Sequence, residues 1–259
     1  MRVCRRQSAP RPNRGFKRGE LLRVLQYLSV SLLALCSATG VASPQARQGY
    51  VVTPDSVQLF YRMVGTGRDT VVILHGGAGM TMDYLLPDLR PLESRHVLLY
   101  YDQRGSGRST IVKDSARLRA VDHTATWRRS DDIFISLAPA YWGDVADAAK
   151  AKGHPCTTAD WMRNFVHVND AMLASVGAYD WRARLADVKV PVLVIHGTRD
   201  PIPLDAAREW AASFGDARLL TIEGTGHFPW VERPTTFFPA VESFLNGSWP
   251  KGAHSVPRK

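Results

Sequence analysis

With 259 residues, 45% of them hydrophobic and 22% charged, the chain is long enough for one sizeable domain with its own core and lacks the bias of a disordered or fibrous sequence. Its formal charge of +9 raises the question of a nucleic-acid partner. Eight basic residues against the single acid Glu20 place +7 of that charge in residues 1–46, however, and the remaining +2 makes no case for a polyanion-binding surface.

The chain opens with the basic residues Arg2 to Arg23, continues through an uncharged stretch, Val24 to Ala42, with an apolar centre at Leu28 to Ala38, and reaches the small residues Gly40 to Ser43. That order predicts a secretory leader over residues 1–43, cleaved near Gly40 to Ser43, and an exported product, periplasmic or secreted. The competing reading is an uncleaved anchor, since the uncharged run approaches the roughly 20 residues that span a bilayer. The short apolar centre favours cleavage, and the membrane is a partner only if the leader stays. Cys4 and Cys36 fall in the leader, so Cys156 is alone in the remainder and no internal disulfide framework is expected. With no activating partner near it in sequence, Cys156 reads as structural.

Gly49 to Val52 and Val57 to Met63 predict two short strands around Pro54-Asp55. Thr70 to Leu74 is an unbroken, mostly β-branched run, the pattern of a parallel strand buried on both faces, and it ends in His75-Gly76-Gly77-Ala78-Gly79. A short helix is expected over Met82 to Leu89 and a second buried strand over His96 to Tyr101, running into Asp102-Gln103-Arg104-Gly105-Ser106-Gly107. This is β-loop-α-β grammar, which predicts a mostly parallel sheet with function at the strand ends. From Asp114 to Ala186 the pattern turns helical and aromatic, with Trp127, Trp142, Trp161 and Phe165, as in an inserted cap. Sheet grammar resumes with a strand over Val188 to Ile195, a helix over Leu204 to Ser213, a strand over Ala217 to Ile222 and a closing helix over Thr235 to Leu245. The expected organisation is a leader (1–43), a first core part (44–113), a helical cap (114–186), a second core part (187–248) and a tail (249–259).

Two strand-end motifs carry the chemistry: Gly197-Thr198-Arg199-Asp200-Pro201 after one buried strand and Gly224-Thr225-Gly226-His227 after the next. A serine hydrolase needs a base to take the hydroxyl proton and a carboxylate to orient that base, and neighbouring strand ends can hold both. Asp200 and His227 fit those roles, in the order acid then base. The bland readings are a turn aspartate before proline and an ordinary strand-end histidine; their joint spacing and order favour catalytic descent. His75 and His196 read as structural histidines, Asp102 and Arg104 as braces of their turn, and the cap aromatics as core.

Taken with His75 to Gly79 and Asp102 to Ser109, these motifs resemble the α/β-hydrolase superfamily, most closely its proline iminopeptidase-like branch. The resemblance covers most of residues 50–248. It implies an α/β sheet with a helical cap, and a reaction without metal or cofactor on amide or ester bonds of small molecules or short peptides. It also implies an oxyanion hole at the backbone of Gly76 and Gly77. Ala78 stands where that family usually has proline.

Between Ser109 and Val188 the family places a strand, the nucleophile elbow G-x-S-x-G, its helix and a further strand. No G-x-S-x-G occurs in this chain, so the nucleophile is unknown and one or more central strands are expected to be missing. Ser136 follows a strand-like run, but Phe134 stands where the strained turn demands a small residue. Ser175 has Leu173 at the corresponding position, and Ser106 and Ser109 lie in a turn that the family carries in addition to its nucleophile. Two explanations compete: an inactive or repurposed relative, or a deletion. The retention of acid, base and oxyanion motifs favours deletion. The cap carboxylates Asp131, Asp132, Asp144 and Asp160 match no amine-recognition motif.

Overall fold

The computed structural model describes residues 46–76, 80–110, 138–153, 168 and 180–258. The leader, Cys156, Ser136, Ser175, Trp127, Trp161, Phe165, Asp131, Asp132, Asp160 and Gly77 to Gly79 lie outside the described residues.

Strands β1 (Arg47–Val52), β2 (Gln58–Gly65), β3 (Thr70–Leu74) and β4 (Val97–Tyr101) form one sheet in the order β1-β2-β4-β3. The β1–β2 and β2–β4 pairs are antiparallel and β3–β4 is parallel. Strands β5 (Val192–Gly197) and β6 (Ala217–Ile222) form a separate parallel pair. The expected parallel grammar is thus found where strand ends carry the motifs, and the opening hairpin makes the first sheet mixed. The hairpin forms because Thr53 closes its turn twice: Val57 N–H donates to Thr53 Oγ1 at 3.1 Å and Thr53 N–H donates to the Val57 carbonyl at 2.9 Å.

The helix expected over Met82 to Leu89 is a 3₁₀ turn, Met82–Tyr84, and a second such turn spans Arg90–Ser94. The later elements are α1 (Arg182–Leu185), α2 (Leu204–Ser213), α3 (Pro229–Glu232) and α4 (Pro234–Leu245). The strand expected from Val188 begins only at Val192, after the exposed Val190 and Pro191, where no ladder hydrogen bond can start from proline nitrogen.

One buried cluster gathers Phe60, Met82, Leu85, Leu89, Leu92, Leu98 and Tyr100, with Trp230, Phe237, Phe238 and Val241 packed against it. Alternation along β4 sends Leu98 and Tyr100 into this cluster, and the apolar side of α4 covers it. A smaller cluster of Ala207, Ala211 and Leu219 joins α2 to β6. The expected tail is tied down: His254 and Leu219 exchange backbone hydrogen bonds at 2.9 and 3.0 Å along the outer edge of β6.

The expectation of two-sided burial fails for β3. Val72 is 54% and Leu74 61% exposed on one face, while Val71 and Ile73 pack on the other. Among the described residues β3 pairs only with β4 and β5 only with β6, so each has one hydrogen-bonded edge. A β-branched run encodes suitability for two covered faces; whether both are covered depends on neighbours elsewhere in the chain.

The loop after β4 is held by Asp102, which is fully buried. Its Oδ1 accepts the Met82 N–H at 2.9 Å, and its Oδ2 accepts Arg108 N–H at 2.9 Å and Arg108 Nε–H at 3.2 Å. A Cβ on Gly107 would stand 2.4 Å from that carboxylate, and Gly107 has φ +48°, so the tight turn demands glycine. Arg104 reaches outward instead and grips Asp55 of the hairpin turn at 2.6 and 3.0 Å.

Candidate active site

Hydrogen bonds zip the loops after β5 and β6 together along their length. Thr198 N–H donates to the Ile222 carbonyl (3.1 Å), Arg199 N–H to the Thr225 carbonyl (2.8 Å) and Gly224 N–H to Thr198 Oγ1 (2.9 Å). Gly197 permits this approach: a Cβ there would lie 2.1 Å from the Gly226 carbonyl oxygen and 2.3 Å from that of Thr225.

At the tip of the zipped loops Asp200 Oδ2 lies 2.8 Å from His227 Nδ1. The Asp200 side chain is 6% exposed and that of His227 37%, so a buried carboxylate meets a half-open imidazole. Asp200 Oδ1 accepts the Ile202 N–H at 2.9 Å, which sets the plane of the carboxylate. Because a carboxylate only accepts, Nδ1 of His227 carries the hydrogen and Nε2 keeps its lone pair. Chemically, the arrangement is a proton acceptor held in one tautomer and able to share the charge it gains with a buried anion.

The His227 loop is clamped by the segment Tyr141 to Gly143. His227 N–H donates to the Tyr141 carbonyl at 2.7 Å, the Tyr141 ring meets the imidazole edge-on at 5.2 Å, and Trp142 packs on Phe228 at 4.7 Å. The clamp is completed by Glu232, a buried carboxylate that accepts Gly226 N–H at 3.0 and 3.1 Å and Gly143 N–H at 2.8 Å. Arg199 adds a bond from Nη1 to the Gly143 carbonyl at 2.9 Å. Sequence reasoning missed Glu232, although a lone acid in the apolar stretch Phe228-Pro229-Trp230-Val231 was a usable signal. Asp144 is occupied as a cap, accepting the Ala146 N–H at 2.9 Å.

The loop after β3 is organised by different bonds. His75 Nε2 accepts the Gln103 N–H at 3.0 Å, its Nδ1 faces the Gly76 carbonyl at 3.1 Å, and Gln103 Nε2 donates to the His75 carbonyl at 2.6 Å. Gly76 N–H donates to the Tyr84 hydroxyl at 2.8 Å. The Gly76 amide hydrogen is therefore engaged within the protein, and Gly77, the other expected oxyanion donor, lies outside the described residues. Burial raises the Tyr84 pKa, so its hydroxyl stays protonated. Ser109 is equally committed: its Oγ donates to the Asp102 carbonyl at 2.5 Å and accepts the Phe60 N–H at 2.9 Å. The Ser106 hydroxyl is fully buried and has no partner among the described residues.

Burial also holds the His75 pKa below its ordinary 6.5. The folded ring stays neutral while the unfolded chain takes up the proton, so stability contributed by His75 is intact above that value and is lost as pH falls below it. In His75→Gln the slope of unfolding free energy between about pH 7 and about pH 5 is expected to flatten, as read from urea melts across that range.

Among the described residues no group of three His, Cys, Asp or Glu side chains is placed to hold a metal ion, and no helix is long and apolar enough to cross a membrane. A groove of about 740 Å³ lies between α2 and the tail, lined by residues such as Arg182, Arg208 and His254 and not by Asp200 or His227.

Residues 113–240 match the model of the alpha/beta hydrolase family. Over 99 residues the chain is 44% identical to a proline iminopeptidase of Saccharolobus solfataricus, covering 36% of this chain and 31% of that protein. Over 69 residues it is 41% identical to a pimeloyl-[acyl-carrier protein] methyl ester esterase of Aromatoleum aromaticum, covering 26% and 28%. The chain thus spans less than a third of the length of these curated relatives. In fold it is similar to a serine hydrolase of Cycloclasticus zankles, with a TM-score of 0.57 at 16% identity over 78% of this chain and 98% of that one. The enol-lactonase of Burkholderia xenovorans aligns with a TM-score of 0.54 at 20% identity, over 76% and 100%. A strand-end carboxylate and imidazole in contact, on a fold shared with these solved hydrolases and with residues 113–240 matching the alpha/beta hydrolase family model, give this chain an α/β-hydrolase architecture.

Proposed function

We propose that the chain is an exported, proline iminopeptidase-like serine hydrolase that retains its acid, base and oxyanion loop and lacks a recognisable nucleophile elbow. The observation that carries this reading is the 2.8 Å contact between Asp200 Oδ2 and His227 Nδ1 at adjacent strand ends. Asp200 orients His227; His227 Nε2 takes the proton of a serine hydroxyl; the Gly77 amide, in a loop braced by the Gly76–Tyr84 bond, stabilises the oxyanion. The substrates are amide or ester bonds of small molecules or short peptides. The serine belongs to a strand-elbow-helix segment not recognisable in this chain, which is consistent with the open edge and exposed face of β3. Ser109 does not replace it, because both hydrogen-bonding directions of its hydroxyl are used.

A second reading, a non-catalytic relative that binds a small ligand, is favoured by the absence of G-x-S-x-G from the chain. A fluorophosphonate probe separates the two. The chain as it stands is expected to remain unlabelled. A version with a strand-elbow-helix-strand segment of about 30 residues or more inserted between Thr110 and Ala138 is expected to label at the new serine and to lose the label in His227→Ala. An elbow-bearing chain that folds and stays unlabelled would favour the binding reading.

A further inference from the structure

His196 is the penultimate residue of β5, two residues before the loop that carries Asp200. Its side chain is 9% exposed, and neither ring nitrogen has a hydrogen-bond partner among the described residues. A neutral imidazole must carry a hydrogen on one of the two nitrogens, and a buried N–H with no acceptor is costly. The structure places one anionic acceptor beside it: Asp200 Oδ2, 3.9 Å from His196 Nε2. Oδ1 of the same carboxylate is already occupied by Ile202 N–H, whereas Oδ2 takes His227 Nδ1–H and has a second lone pair.

We propose that His196 is a positioning residue for the acid–base pair, with its Nε2–H turned onto Asp200 Oδ2 so that one buried carboxylate serves two histidines. At 3.9 Å the contact is a charge–dipole attraction outside hydrogen-bond range, so it draws on the charge of Oδ2 without displacing the hydrogen bond from His227. Its effect has a definite sign. A donor aimed at Oδ2 withdraws electron density that would otherwise be offered to His227, and its removal strengthens the His227–Asp200 hydrogen bond. The catalytic meaning of this rests on the hydrolase reading; the geometry does not.

The test is histidine NMR on the full chain labelled with ¹⁵N, with Asp200→Asn used to assign the His227 Nδ1–H resonance. In the wild type, long-range ¹H–¹⁵N correlations are expected to show His196 as the Nε2–H tautomer. In His196→Leu the His227 Nδ1–H resonance is expected to move downfield, and His196→Gln, which restores an N–H donor, should return it towards the wild-type position. General loosening of the site would instead move the resonance upfield or broaden it away. An Nδ1–H tautomer in the wild type overturns the proposal, as does an unmoved or upfield resonance in a folded His196→Leu. Should that variant not fold, the wild-type tautomer decides alone. Failure of the elbow-bearing chain to label would sink the hydrolase reading and leave these signals where they are, so the two failures are distinguishable.

Discussion

Asp102→Ala is expected to destabilise the chain by about 3–5 kcal/mol, a large fraction of the stability of an ordinary domain. The carboxylate has no solvent exposure and is the shared acceptor for the Met82 N–H, the Arg108 N–H and the Arg108 guanidinium. Alanine leaves the backbone donors without an acceptor and takes from Arg108 one of its two anionic partners, the other being Asp83 at 2.6 Å. Asp102→Asn should cost less, because its carbonyl oxygen can still take one donor while its amide group faces another. Urea denaturation of the two variants beside the wild type checks the ranking; equal midpoints for wild type and Asp102→Ala would show that the brace is dispensable.

Gly197→Val is the second large effect, and it reaches the site directly. The added Cβ would meet two carbonyl oxygens of the Thr225–Gly226 backbone at 2.1 and 2.3 Å, and neither can swing aside as a side chain would. The loops after β5 and β6 must therefore part, at a cost of about 3 kcal/mol or more. The bonds from Arg199 N–H to Thr225 and from Gly224 N–H to Thr198 lie on that seam, and the Asp200–His227 contact sits at its end. The expected readouts are a lowered melting temperature together with loss of the His227 Nδ1–H resonance. Retention of that resonance in a folded variant would mean that the pair does not depend on the close approach at Gly197.

How much of this was legible beforehand varies with the range of the forces involved. The hairpin around Pro54-Asp55, the strands Thr70–Leu74 and Ala217–Ile222 and the helix Leu204–Ser213 were readable, because turn residues and hydrophobic period act over a few residues. Asp200 and His227 were readable as a pair because glycine-rich turns mark strand ends and adjacent parallel strands carry their tips side by side. Glu232 was not, since its importance lies in accepting the amides of Gly226 and of Gly143, 89 residues away from it.

By itself the sequence determined the resemblance to α/β hydrolases, the candidate pair Asp200 and His227, and the lack of a G-x-S-x-G elbow. Only the tertiary structure decided that Gly76 gives its amide hydrogen to Tyr84, that Ser109 is consumed by Phe60 and Asp102, that β3 exposes Val72 and Leu74, and that His196 lies beside the Asp200 carboxylate. The physical reason is that residue type states which bonds a group is able to make, whereas the partner it finds is set by which distant segment the fold lays against it.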